Sequence, residues 1–175
     1  VLNCFNNQMT SVNGQVNNPP GTTFNWSGPG IGTVNANTAA VNTPGTYVFT
    51  MVSPAGCMQH ISVEVALDVA PPDVEATPTD LLDCSTTEVN INASGTSTGP
   101  NYVYEWSTQD GHIVSGANSL NPLVDEAGTY LLHVLNNLNG CADSIPVEVL
   151  NDPAVPTGFD LGVRDIVCFG DSDGS

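Results

Sequence analysis

Hydrophobic and polar positions alternate along most of this chain with a period of two. The runs QHISVEVAL, TEVNINAS, NYVYEWST, GTYLLHVL and SIPVEVL either alternate or carry β-branched and aromatic residues, the mark of half-buried strands. Glycine and proline punctuate them at the roughly 8–12-residue spacing of short strands in a sandwich. No window carries a 3.6-residue period. The pattern predicts an all-β chain.

The strand pattern is written more than once. GTYVFTMVSPAGC at residues 45–57 recurs as GTYLLHVLNNLNGC at residues 128–141. Cys4 recurs as Cys84 and again as Cys168, and Trp26 and Trp106 follow their cysteines at the same distance. SVEV at 62–65 recurs as PVEV at 146–149. Anchors kept in one order define a repeat. The expected units are residues 1–67, lacking a first strand, residues 68–151, complete, and residues 152–175, the start of a third. The boundaries carry DVAPPDV and NDPAVPTGF, proline-rich links that are short and stiff, so successive units are expected end to end as a rod. A unit lacking its first strand, and another barely begun, are expected of a piece cut from a longer chain.

Each unit reads as a seven-strand immunoglobulin-like sandwich. In the second, strand A lies near DVEAT, B is TEVNINA, C is YVYEWST, F is GTYLLHVLN and G is DSIPVEVL. Strands D and E fall less distinctly in GHIVSGANSLNPLVDEA. A tryptophan on strand C, Trp26 or Trp106, is the expected core anchor, and Tyr47 and Tyr130 at the start of strand F fit a tyrosine corner. In the first unit NWSGPGIGTVNANTAA is shorter than its counterpart, so an edge strand there is expected to be missing or shortened.

The stretch LLDCSTTEVNINASG…YVYEWSTQDGHIVSG…DEAGTYLLHVLNNLNGC…VEV resembles the Ig-like and PKD-like repeats of giant secreted surface proteins of Bacteroidetes. The tail DIVCFGDSDGS is similar to the opening of gliding-motility adhesin repeats of that group. The resemblance implies export through an outer-membrane secretion system, a place on the cell surface and no catalysis.

Charge narrows the partners. Eighteen acids face one base, Arg164, for a net charge of −17, which repels nucleic-acid phosphates and anionic lipid. Residues 1–63 hold no Asp, Glu, Lys or Arg; a surface of Asn, Thr, Ser and Gly suits an exported protein better than a cytosolic one. No apolar run reaches the roughly 18 residues of a spanning helix, and no leader peptide is visible.

Five cysteines in such a chain read as disulfides rather than metal ligands, since there is no CxxC and the histidines stand at no ligand spacing. Two pairings are open. Cys4–Cys57 with Cys84–Cys141, leaving Cys168 for a partner outside the chain, lets each unit fold alone and is the expectation. Yet Cys84 precedes strand B and Cys141 follows strand F, at opposite ends of one sandwich, while bonded Cα atoms must approach within about 7 Å, so the intradomain bond requires an irregular A–B segment that carries Cys84 up. The alternative crosses units and joins Cys4 to Cys141.

Asp171-Ser172-Asp173-Gly174 looks like part of a calcium loop, and with Asp152, Asp160 and Asp165 forms a candidate calcium set at the second boundary, as Asp68 and Asp73 do at the first. Asp and Gly are also the ordinary turn formers. Asp143-Ser144-Ile145 resembles a Bacteroidetes O-glycosylation signal, with Ser144 as acceptor; Asn25 and Asn92 match the N-linked pattern. No G-x-S-x-G turn or His–Asp pair marks a nucleophile, so no enzyme is expected. The leading reading is a non-catalytic structural stalk of an extracellular adhesin or surface fibre, its partners being neighbouring repeats and lateral or end-to-end copies. A filament subunit assembled by strand complementation, and a carbohydrate-binding module of a secreted enzyme, are the competing readings. The last needs an exposed aromatic row or a shaped calcium site, and the sequence shows no such row.

Overall fold

A computed structural model describes residues 1–15 and 20–152, and among them there are only strands and turns. The alternating runs sort into two separate cores. The first sandwich holds β1 (Leu2–Asn3), β2 (Thr10–Asn13), β3 (Thr23–Gly28), β4 (Ile31–Val34), β5 (Thr38–Val41), β6 (Gly45–Val52), β7 (Met58–Val65) and β8 (Leu67–Asp68). The second holds β9 (Thr77–Pro78), β10 (Val89–Asn92), β11 (Tyr102–Thr108), β12 (Ile113–Ser115), β13 (Leu123–Val124), β14 (Gly128–Asn136) and β15 (Ala142–Val149).

In the second sandwich the sheets run β12-β13-β10-β9 and β11-β14-β15. In chain order this is strands D-E-B-A packed on C-F-G, the order of a constant-type immunoglobulin sandwich. Trp106 faces Leu132 across β11 and β14. Both are buried with Ile91, Val124, Val134 and Val147, each fully buried large side chain contributing about 1.5–3 kcal/mol of transfer free energy.

The first sandwich repeats the frame with one exchange and, among the described residues, without a strand on β2 corresponding to β9. Its sheets are β2-β5 and β4-β3-β6-β7. The register is the same: Gly45 faces Val65 and Tyr47 faces Val63, as Gly128 faces Val149 and Tyr130 faces Val147. Among the described residues the sheet β2-β5 has no edge strand beyond β5, in line with the expectation, although β4 and β5 each run four residues. What changes is the sheet that β4 joins. The turn Gly28-Pro29-Gly30, with Gly30 at φ 69°, folds the chain straight back, so β4 pairs with β3. In the second sandwich the corresponding strand β12 crosses over and pairs with β13.

Polar atoms of the buried anchors are satisfied alike. The Trp26 indole N–H donates to Asn37 O (3.1 Å) and that of Trp106 to Ser119 O (2.9 Å), both carbonyls lying in the stretch that leads into the fifth strand. The Tyr130 hydroxyl donates to Glu126 O (2.6 Å) and accepts from the His112 N–H (3.0 Å). Burial raises its pKa, keeping it a neutral donor at physiological pH. Tyr47 stands 2.6 Å from Thr43 O and 2.8 Å from Pro29 O. These contacts tie the approach to the sixth strand to the opposite edge in both sandwiches.

Candidate functional site: the junction between the sandwiches

Two segments meet between the cores. One is the entry of the first sandwich. Leu2 is fully buried and its N–H donates to Ala66 O (2.8 Å), so β1 lies parallel to β8, the exit of the same sandwich. Asn3 and Asn6 exchange backbone-to-side-chain hydrogen bonds (2.9 and 3.2 Å). This local loop, an alternative to a strand that Asn readily supplies, turns the chain outward and presents Cys4 and Phe5.

The other segment is the turn joining β14 to β15. Asn136 N–H donates to Cys141 O (2.9 Å) and Gly140 N–H to Asn136 O (2.8 Å). Gly140 has φ 74° and a Cβ there would sit 2.5 Å from the Phe5 ring. Glycine is needed twice over, for the left-handed backbone and for the ring against it.

Asn139 joins the two. It is 2 % exposed. Its Nδ2 donates to Asp68 Oδ1 and to Ala70 O, both at 2.9 Å, and its Oδ1 accepts from Cys141 N–H at 3.0 Å. Its backbone carbonyl accepts from Cys4 N–H (2.9 Å) and Phe5 N–H (3.3 Å). A buried side-chain amide with its donors and acceptor engaged specifies one docking geometry, because any other leaves polar atoms unpaired. Beside it Cys4 and Cys141 form a disulfide with Cα atoms 5.1 Å apart, across a sequence separation of 137.

The expected intradomain pairing is therefore corrected. Cys57 and Cys84 are free and exposed. Cys57 lies in the turn between β6 and β7, whereas Cys4 follows β1 at the far end of β7, and an eight-residue strand separates such points by about 25 Å. Cys84 and Cys141 likewise lie towards opposite ends of the eight-residue β15. The alternative pairing across units is the one formed. Cys168 lies outside the described residues.

The remaining predicted residues are dispersed. Trp26, Tyr47, Trp106 and Tyr130 sit in the cores, so neither tryptophan offers a sugar-stacking face. Tyr102 and Tyr104 are half-buried, packed against the second core. Asp152 N–H donates to Leu82 O (2.7 Å); Asp160, Asp165, Asp171 and Asp173 lie outside the described residues. Among the described residues no three potential metal ligands gather. Asp68 holds Asn139, and the Asp73 N–H donates to Ser97 Oγ (2.9 Å). Ser144 is exposed on β15 with its Oγ 2.9 Å from His133 Nδ1.

A second feature is an open groove of ≈ 540 Å³ beside β2 and β7, lined by Val12, Trp26, Phe49, Ile61 and Val63. Val63 is 41 % exposed and Ile61 61 %, whereas Val147, the counterpart of Val63 in the matching register, is 4 % exposed. In the second sandwich Val74 and Ala76, just ahead of β9, pack on the core.

No protein-family model matches the chain, and no curated protein matches it. Among solved structures, the human desmocollin-1 ectodomain is similar at 12% identity over 79% of this chain and 31% of that one, with a TM-score of 0.32. The N-terminal four Ig domains of Dscam1 isoform 1.9 are similar at 13% identity over 83% and 41%, TM-score 0.34. The amphioxus IgVJ-C2 molecule is similar at 12% identity over 82% and 96%, TM-score 0.36. The chain thus spans less than half the length of the first two. The immunoglobulin-like character rests on strand order.

Replacing Asn139 by alanine strands Asp68 Oδ1 and the Ala70 carbonyl at the junction. The expected cost is about 1–3 kcal/mol, felt at the junction rather than in either core. Hydrogen exchange should show it as faster exchange of the Cys4, Phe5 and Cys141 amides, with core amides of β6 and β14 unchanged.

Proposed function

We propose that this chain is a segment of a structural stalk, built from immunoglobulin-like units set end to end on an extracellular adhesin or surface fibre of the Bacteroidetes kind, without catalytic activity. The observation that carries this reading is the Cys4–Cys141 bond. This disulfide joins two cores rather than closing one. It fixes the orientation between them, which is what a stiff spacer requires. A bond of this kind also suits an oxidising, extracellular setting. The acidic second unit keeps neighbouring stalks apart by charge repulsion.

A second reading is favoured by the groove beside β7. A strand from another chain laid there would cover Ile61 and Val63 as Val74 and Ala76 cover the second core, giving a filament joined by strand addition.

The denatured mass of the native material, with and without reductant, separates them. A stalk segment is expected far above 18.1 kDa under reduction. A reduced mass near that value, with a ladder appearing only without reductant, would overturn the stalk and support a filament of separate subunits.

A further inference from the structure

We propose that the far end of the second sandwich is a receptor for the Asn-Gly-Cys turn of a following repeat, with Cys84 bonding that turn's cysteine as Cys4 bonds Cys141. The inference rests on the stalk reading, in which residues 152–175 begin another repeat.

Two observations carry it. The first is placement. Leu82 is buried like Leu2. Leu82 bridges Asn151 in parallel as Leu2 pairs with Leu67, and its N–H donates to Leu150 O (3.0 Å) as that of Leu2 donates to Ala66 O. Asp83 Oδ1 accepts from the N–H groups of Ser85 (2.7 Å) and Thr86 (2.6 Å), where Asn3 Oδ1 accepts from Asn6. Cys84 therefore leaves the sandwich on the same local scaffold as Cys4, and it is free and exposed.

The second is the recess beside it. Asp83, Cys84, Ser85 and Asp152 line a surface hollow of ≈ 200 Å³. Asp152 stands where Asp68 stands in the first sandwich, one residue past the parallel bridge, and Asp68 is the acceptor for Asn139 Nδ2. The thiol and the carboxylate that hold the turn at the first junction are thus side by side at the second. The chemistry selects its occupant: a hairpin turn with a donating amide, a left-handed glycine and a cysteine. The turn Ala55-Gly56-Cys57 has the cysteine and a glycine at φ 82° but lacks the amide, so it fits less well.

Closure needs an oxidant, and a small disulfide such as oxidised glutathione balances the step. One thiolate displaces glutathione thiol from it, forming a mixed disulfide. The partner thiolate then displaces the second glutathione. One S–S bond forms and one breaks, the two protons leave the cysteines, and the oxidant is reduced to two thiols.

The test compares the full chain with a lengthened one in which a second copy of residues 68–151 follows residue 151. In the full chain iodoacetamide is expected to label Cys57 and Cys84 without denaturant and to spare Cys4 and Cys141. In the lengthened chain, equilibrated with oxidised and reduced glutathione, peptide mapping is expected to join Cys84 to the added copy's Cys141 and to leave Cys57 labelled. Asn139→Ala in the added copy should shift the glutathione equilibrium of that bond about tenfold toward the thiols. A labelled Cys84, a Cys84 bonded elsewhere, or an equilibrium indifferent to Asn139→Ala overturns the receptor. A labelled Cys4 in the full chain would overturn the stalk reading instead.

Discussion

A chain with both Cys4→Ser and Cys141→Ser should lose up to about 5 kcal/mol of stability, the chain-entropy value for closing a loop of 137 residues. The loss has a recognisable form. Each sandwich has its own core, so the bridge acts on the equilibrium between a coupled pair and two independent units. With the bridge, urea unfolding is expected to follow one transition by every probe. Without it, the two sandwiches should separate into two transitions of smaller slope, since slope scales with the surface each unit exposes. The same split should appear when the unaltered chain is reduced. A single unchanged transition in the double variant would show that the bridge couples nothing.

Trp106→Ala should cost about 3–5 kcal/mol, the range for emptying a large aromatic site in a core. The indole is buried against Leu132, and its removal also leaves Ser119 O without its donor. The chain has two tryptophans, one in each core, so Trp26 remains as a reporter of the first sandwich alone. Under reduction its fluorescence transition should match that of the unaltered chain, while circular dichroism shows early loss of the second sandwich. With the disulfide intact, the Trp26 transition should move to lower urea, because the junction that stabilised it has lost its folded partner. A Trp26 transition that stays put in both states would mean the junction transmits no stability.

Much of the second sandwich is legible in the sequence because period two and burial coincide there. YVYEWST and GTYLLHVLN are β11 and β14 residue for residue, and strand G is displaced by one residue. Strands D and E are harder to read because β12 and β13 run three and two residues, too short for alternation to register. In the first sandwich the short connection does mark a sheet without its edge strand, and the tight turn at Pro29 is the local reason, since it places that segment on the other sheet. The junction was half visible: the order of Cys84, strand B, strand F and Cys141 already argues against a bond within one sandwich. What decides it was hidden. Asn139 reads as an ordinary turn residue beside glycine, and only its buried amide contacts with Asp68 and Ala70 reveal a docking element. Phe5 likewise gains its meaning only from the bare face of Gly140.

The sulfur bridge also sets where tension runs. Pulled from outside residues 4 and 141, the chain passes force from Cys4 across to Cys141 and on along β15. The intervening residues, roughly 450 Å of contour if fully extended, carry none of it. Both hydrophobic cores lie inside that sheltered stretch except Leu2 in β1 and the strand β15, so a pull strong enough to shear a sandwich would meet a covalent bond first. Extension under force should then stay short while the bridge is closed and lengthen abruptly once a reductant opens it, making the reach of the molecule depend on the redox state of its surroundings.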